Sequence, residues 1–563
     1  MVNIETTSNA IWWIKNPNAP KVGDASHGGV RGAGRGDGRK SSIGSIFCLD
    51  MAALLRNISL QGYNKLLAPE LTFVERLIWL LVHATTFVAM LSVLLLTWEQ
   101  FIAQYFVINL KDSLYPVEKV PFPAVSICSN NRISLQAVTK YALELQHSDP
   151  VPHSLKYYLD KLRYLRKLYV SNEMDVDAED LVNFQAFLDI FGTWDNETFF
   201  STRRIMNMLA PKCDEFILKC SLSNVDIPCF SDIGFQSRLT DYGPCCTFNT
   251  KNRLKSRDYK NRFANPELGL TVFLNASHAD YFTPVLRTEG YIVIIHNADN
   301  FAAISSSNAL ELFPGEMDES YVRIFARVID TDPSLSSFSP EGRRCYFPDE
   351  ANLPNVGTVY SFPNCITRCR IRSIIALCNC LPFQLPLDLV ESLEGVVYCT
   401  LIHATCIAQY AFKWNNVLTE RVRMTGLERE IEEALYCPQC LPSCYDVQYR
   451  VSLSALPLDN FLASLKPEDN STQLSSKISI LRVFFGKPNA DFYIRLMNNE
   501  WFEIFSTIGN ILSVFMGFSL VAIFETLFFF CKYIYMSFYR IMHISKANQK
   551  AKKLDARKLH ICP

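Results

Sequence analysis

Between Arg76 and Glu99 the chain reads LIWLLVHATTFVAMLSVLLLTW (residues 77–98), 22 residues without a formal charge. As a helix at ~1.5 Å per residue the run is roughly 33 Å long, enough for a ~30 Å hydrocarbon core. The competing reading is a buried core helix, but a soluble helix of this length normally carries charge on its outer face. A second uncharged run extends from Ile504 to Phe524, between Glu503 and Glu525, and continues apolar to Cys531. The two runs predict transmembrane helices over 77–98 and 504–531, which divide the chain into an N-terminal region 1–76, a loop 99–503 and a tail 532–563.

The averages conceal this layout. The chain has 563 residues, a hydrophobic fraction of 49% and a net charge of −1. Its mean hydropathy is +0.07, too low for a transporter threaded many times through a bilayer. The apolar and aromatic content is too high for a disordered chain.

Charge by region sets the expected orientation. Residues 1–76 carry nine Lys/Arg against six Asp/Glu, and residues 526–563 carry eight against Asp555 alone. Both ends are basic, so both are expected to be cytoplasmic, with the large loop outside. The first thirty residues lack the apolar core of a secretory leader, so the first run is expected to serve as an uncleaved anchor. Of the 19 cysteines, only Cys48, Cys531 and Cys562 fall outside the loop; the other sixteen lie between Cys128 and Cys444. An even count in an extracellular loop predicts disulfides. Three glycosylation sequons share that loop, at Asn196, Asn275 and Asn470; a fourth, at Asn57, is on the cytoplasmic side, where it should go unused.

Residues 23–44 hold eight of the 22 glycines and read as a disordered tail. Its RGAGRGDGR run could touch RNA or lipid headgroups, but a solvated linker is the simpler reading, and the near-zero net charge argues against a nucleic-acid binder. Within the loop, TVFLNAS, GYIVIIH and DVQYRVSLS read as strands, whereas residues 154–170 and 419–436 show helical spacing. The loop is therefore expected to be mixed α+β. No HExxH, G-x-S-x-G, Walker or dinucleotide motif is present. Cys378-Asn-Cys380 and Cys437-Pro-Gln-Cys440 resemble metal knuckles, but disulfides suit the compartment better, and neither a metal nor a cofactor is expected. His83 could line a pore or pack between helices.

Several strings then coincide in order. FPAVSICSNNR (122–132) follows the first run. Gly243-Pro-Cys245-Cys246-Thr-Phe-Asn249 comes next, then RRCYFPDE (343–350), Cys365-x3-Cys369, Cys378-x-Cys380, Cys399, Cys406 and CPQCLPSC (437–444). In the second run, Ile508-Gly509 leads through Gly517-Phe518-Ser519 to Glu525. Together, over about residues 59–531, these resemble the degenerin/epithelial sodium channel family, and its insect pickpocket branch in particular. The resemblance implies a plasma-membrane, sodium-permeable, amiloride-blocked cation channel with two spanning helices per subunit, working as a homo- or heterotrimer. Its partners would be sodium ions, membrane lipid and related subunits. The family's external domain has palm, β-ball, finger, thumb and knuckle parts.

By the same analogy Cys128 pairs with Cys245, Cys220 with Cys229, Cys345 with Cys444, Cys365 with Cys440, Cys369 with Cys437, Cys378 with Cys406 and Cys380 with Cys399. That leaves Cys213 and Cys246 to pair with each other. Gly517, Phe518 and Ser519 fall at the family's selectivity filter, where an opened helix would present backbone oxygens to an ion. Small residues also let spanning helices approach closely, which is the structural alternative. Ser506, with Thr507 and Gly509 after it, falls at the outer gate, where a small residue permits closure and a bulky one holds the pore open. Glu525, at the inner end, would concentrate cations or simply end an apolar stretch. Before the first run, Gln61-Gly62 within residues 59–62 aligns with a His-Gly gating motif. Thr507 stands where acid-sensing relatives carry an aspartate, and Gln61, Asn510, Ser513 and Phe518 depart from the family's pattern. These departures keep a second reading open, a non-conducting receptor or assembly subunit. An ATP-gated channel and a disulfide-rich ectoenzyme fit the motifs less well.

Overall fold

The computed structural model describes residues 71–558 except 104–105, 170–176, 195–197, 251–264, 276–278, 287–289, 305–308, 351–359, 391–394, 421–424, 459–477 and 499. The glycine-rich stretch 23–44, Gln61 and Gly62, and the sequons at Asn57, Asn196 and Asn470 lie outside the described residues. The chain divides into two compact units, Trp98–Trp501 and the flanking residues up to Thr97 and from Phe502.

The larger unit is mixed α/β. Its strands are β1 (Phe106–Pro116), β2 (Ala124–Ser129), β3 (Ile217–Leu222), β4 (Val225–Ile227), β5 (Phe235–Thr240), β6 (Gly243–Phe248), β7 (Leu270–Asn275), β8 (Tyr291–His296), β9 (Leu310–Leu312), β10 (Asp318–Thr331), β11 (Val417–Leu418), β12 (Leu435–Tyr436), β13 (Asp446–Pro457), β14 (Ile478–Phe485) and β15 (Asn489–Met497). Eight form one sheet in the order β1-β15-β10-β14-β7-β3-β4, with β13 also on β10, and five form a second, β5-β6-β2-β8-β9. The long β10 organises the first sheet. One edge pairs antiparallel with β13; the other pairs parallel with β14 over Glu319–Ile324 and with β15 over Arg327–Thr331. The chain passes from β14 to β15 at Gly486, where a Cβ would lie 2.8 Å from the Phe325 ring, so a larger residue would have to displace that ring.

The strand patterns follow from burial. β10 alternates, turning Val322, Ile324, Ala326 and Val328 into a core shared with Val125, Ile127, Phe248, Val293 and Ile295 of the second sheet. β8 is buried on both faces: Ile292 and Ile294 meet Cys128 and Cys245 on the far side, which explains its unbroken apolar run.

A helical cluster, α1 (Leu135–Ser148), α2 (Leu155–Leu162), α3 (Ala178–Phe191) and α4 (Thr202–Leu209), has its own core around Tyr141, Tyr158, Phe184 and Met206. Ser134 and Ser154 cap α1 and α2 by accepting from Ala137 N and Tyr157 N. The helix expected over 154–170 is α2 followed by a 3-10 turn, Arg163–Leu168. The helix expected over 419–436 is not formed as such. Among the described residues of this stretch only Glu428–Glu433 is helical, Gly426 stands at φ +91°, and Leu435–Tyr436 is extended beside Val417–Leu418. Bonds to residues outside the stretch explain this: Leu435 N donates to Asn416 O at 2.9 Å and Cys437 N to Leu418 O at 2.8 Å, and Cys437 is tied to Cys369.

The disulfides are Cys128–Cys245, Cys213–Cys246, Cys220–Cys229, Cys345–Cys444, Cys365–Cys440, Cys369–Cys437, Cys378–Cys406 and Cys380–Cys399. Helix α5 (Phe362–Cys378) carries three of these cysteines. Cys365 and Cys369 are one turn apart on one face and bond to Cys440 and Cys437, so two bridges stack along the helix. Each is worth roughly 2–4 kcal/mol in chain entropy, making this lobe stiff.

One buried network gives the large unit a pH dependence. His296 Nδ1 lies 2.9 Å from Asn297 O, its Nε2 2.9 Å from Ser126 Oγ, and Ser126 Oγ 2.7 Å from Thr247 Oγ1. The chain of bonds closes if Nδ1 carries the proton and Nε2 accepts, which requires a neutral ring. Burial lowers the His296 pKa from 6.5 to about 4. The unfolded chain then binds the extra proton first as pH falls, so stability is full above about pH 6.5 and declines towards pH 4, by about 3 kcal/mol. Urea unfolding at stepped pH should show this decline, and His296→Gln should flatten it.

In the smaller unit, the first apolar helix runs Phe73–Ala103, longer than 77–98 at both ends. Thr72 and Glu75 start it: Thr72 N donates to Glu75 Oε2 at 2.8 Å and Glu75 N to Thr72 Oγ1 at 3.5 Å. Its segment Phe73–Phe101 is long and apolar enough to cross a membrane, and its side chains are largely uncovered, Val88 and Leu96 both being 62% exposed. A soluble core helix would hide them. The second apolar stretch comprises two helices, Trp501–Met516 and Leu520–Lys558.

Candidate functional site

The two helices of the second stretch meet at 72° across Gly517-Phe518-Ser519. The break is written locally. Gly517 adopts φ +66°, a conformation that costs a side-chain-bearing residue ~1–2 kcal/mol. Its N–H bonds to Ser513 O at 2.9 Å, the left-handed C-terminal cap of a helix. Phe518 N reaches back to Leu512 O at 3.4 Å. Ser519 then starts the next helix: its Oγ accepts from Ala522 N at 3.1 Å, and its carbonyl accepts from Ile523 N at 3.0 Å. A stop signal and a start signal thus stand two residues apart.

The consequence is a cluster of backbone polarity in an apolar segment. The carbonyls of Val514, Phe515 and Met516 fall outside the helical ladder, because the Phe518 N–H turns back to Leu512 O and the helix ends at Met516, to restart only at Leu520. No charged side chain lies between Glu503 and Glu525. At membrane depth such carbonyls are tolerated only where protein or water meets them, and a ring of such oxygens is what an ion needs to shed its water. The sequence singles out Gly517, Phe518 and Ser519, with backbone oxygens at that step, but not the three carbonyls just before it; the Gly-x-Ser spacing is the signal that points to them.

The other singled-out residues lie along the same stretch. Ser506, Thr507 and Gly509 are in Trp501–Met516; Ser506 is exposed, Thr507 Oγ1 donates to Glu503 O at 2.8 Å, and the space around Gly509 is open. Phe518 is half-buried. Glu525 is half-buried in the first turns of Leu520–Lys558. In the larger unit, Asn275 ends β7, its Nδ2 donating to Glu215 O at 3.4 Å. Among the described residues no group of His, Cys, Asp and Glu side chains is arranged to hold a metal.

The family model for the amiloride-sensitive sodium channel matches residues 54–529, from before the first apolar helix to beyond the break. The chain belongs to the amiloride-sensitive sodium channel family. Similar proteins include Pickpocket protein 28 of Drosophila melanogaster, 25% identical over 84% of this chain and 77% of that protein. Sodium channel protein Nach of Drosophila ananassae is 22% identical over 84% of each. The bile acid-sensitive ion channel of Mus musculus is 25% identical over 85% of this chain and 87% of that one. Members of this amiloride-sensitive sodium channel family are ion channels of the plasma membrane, not enzymes.

Proposed function

We propose that this chain is a pore-forming subunit of a trimeric, sodium-permeable, amiloride-blocked cation channel. It crosses the plasma membrane at residues 77–98 and 504–531, with both termini cytoplasmic and 99–503 outside. The observation that carries this reading is the helix break at Gly517-Phe518-Ser519, which places the Val514, Phe515 and Met516 carbonyls outside the ladder in a segment otherwise fit only for hydrocarbon. Three such breaks around an axis would make a ring of oxygens. The stiff, disulfide-stacked α5 lobe suits a lever that carries an external stimulus towards the spanning helices. Glu525 would attract cations at the inner mouth. Gln61-Gly62 would take part in gating, with an amide where the family has imidazole. Glycans would stand at Asn196, Asn275 and Asn470.

The test is expression in oocytes, alone and with related subunits, with surface labelling beside the current record. An inward current that vanishes on replacing sodium with a bulky organic cation, and that amiloride blocks, supports the reading. Surface protein without current in every combination sinks it.

Phe518 favours a second reading, a non-conducting receptor or assembly subunit, because three phenyl rings at a filter would crowd it. Phe518→Ala separates the two. In a conducting subunit it should change the sodium-to-potassium permeability ratio or the unitary current by about threefold or more, the weight of a ~0.7 kcal/mol change at the narrowest point. In a non-conducting subunit the recorded currents should be identical.

A further inference from the structure

Arg132 closes the FPAVSICSNNR string just beyond β2, and its side chain is 3% exposed. Its backbone is well held, N donating to Thr283 O at 3.0 Å and O accepting from the Tyr169 hydroxyl at 3.4 Å. Its guanidinium is not. It lies over the Tyr242 ring, 4.6 Å from the centroid, and Nε and Nη2 are buried with no hydrogen-bond partner among the described residues. The carboxylate whose field reaches it, Glu311, accepts from the Tyr242 hydroxyl instead of pairing with it. Burial lowers the Arg132 pKa to about 10, which leaves it charged at neutral pH. A buried cation with no carboxylate bonded to it is costly, and a bound anion is the usual remedy.

Arg132 also lines a small cavity, together with Ser129, Tyr169, Phe216, Tyr242 and Pro244, with room for about one water-sized guest. The two observations are independent: a buried guanidinium without a partner and an opening beside it. We propose that this cavity binds one small monovalent anion such as chloride against Arg132, the lining side chains giving by the few tenths of an ångström that separate a halide from a water. Size excludes phosphate, sulfate and the carboxylates of larger metabolites. Water would fit but would leave the charge unbalanced. The anion would tie together the end of β2, the β5–β6 turn that carries Tyr242, and the helical cluster at Tyr169.

The test uses the full chain in detergent with sodium bromide replacing sodium chloride. Anomalous diffraction should place a bromine peak in the cavity of the wild type. A cavity without bromine signal, whether it holds water or the Glu311 carboxylate swung onto Arg132, overturns the proposal. In solution, the thermal midpoint should be about 2 °C higher in sodium chloride than in sodium gluconate at equal ionic strength. Glu311→Gln, which keeps the guanidinium and removes the competing charge, should widen that gap, and Arg132→Gln should abolish it. Equal midpoints for the wild type, or a gap that persists in a folded Arg132→Gln protein, also overturn it.

Discussion

Gly517→Leu is expected to lower sodium current by about thirtyfold at unchanged surface density, the weight of ~2 kcal/mol on the conducting conformation. Two effects add. The φ of +66° at Gly517 is open to glycine and strained for leucine. Leucine is also a strong helix former, so it favours running Trp501–Met516 straight into Leu520–Lys558. In a continuous helix the N–H groups of residues 518–520 take up the carbonyls of Val514, Phe515 and Met516. The oxygens proposed to line the pore would then be spent within the backbone. Gly517→Ala should lose about as much, because alanine bears the same strain and favours the continuous helix at least as strongly. Patch recording with surface biotinylation measures both. If Gly517→Leu reaches the surface and conducts as the wild type does, the break is not the ion path.

Ser506→Phe is expected to act in the opposite sense, raising resting current about tenfold, which needs ~1.4 kcal/mol of bias against the closed state. Ser506 lies eleven positions before Gly517, roughly 16 Å along the helix, and is exposed. A phenyl ring there meets no core within the chain, so the change should leave the subunit folded. Its cost would fall on the assembly, where three such positions must come together to close. Ser506→Val should give a smaller rise. Currents unchanged from the wild type in both variants, at normal surface density, would mean that Ser506 does not stand at the gate.

The helix break shows how local physics makes a site legible. Gly517 as a left-handed cap and Ser519 as an N-cap act within four residues, so the interruption can be read from a short string. The alternation of β13 and the unbroken run of β8 are legible for the same reason, since side-chain direction repeats every two residues. The stretch 419–436 misled because helical spacing was present while distant bonds to Asn416, Leu418 and Cys369 held part of it extended. Arg132 looked like the last letter of a motif, and nothing near it in sequence told that its charge is buried unpaired.

By itself the sequence determined the two apolar stretches, the point at which the second one breaks, and the strands β7, β8 and β13, because hydrophobic runs, caps and pleat are decided by neighbours a few residues apart. Only the tertiary structure decided that β10 shares one edge between β14 and β15, that His296 is locked neutral between Ser126 and Asn297, and that Arg132 faces a cavity with no carboxylate bonded to it. Those outcomes depend on segments more than a hundred residues apart meeting in space, where burial and pairing outweigh local preference.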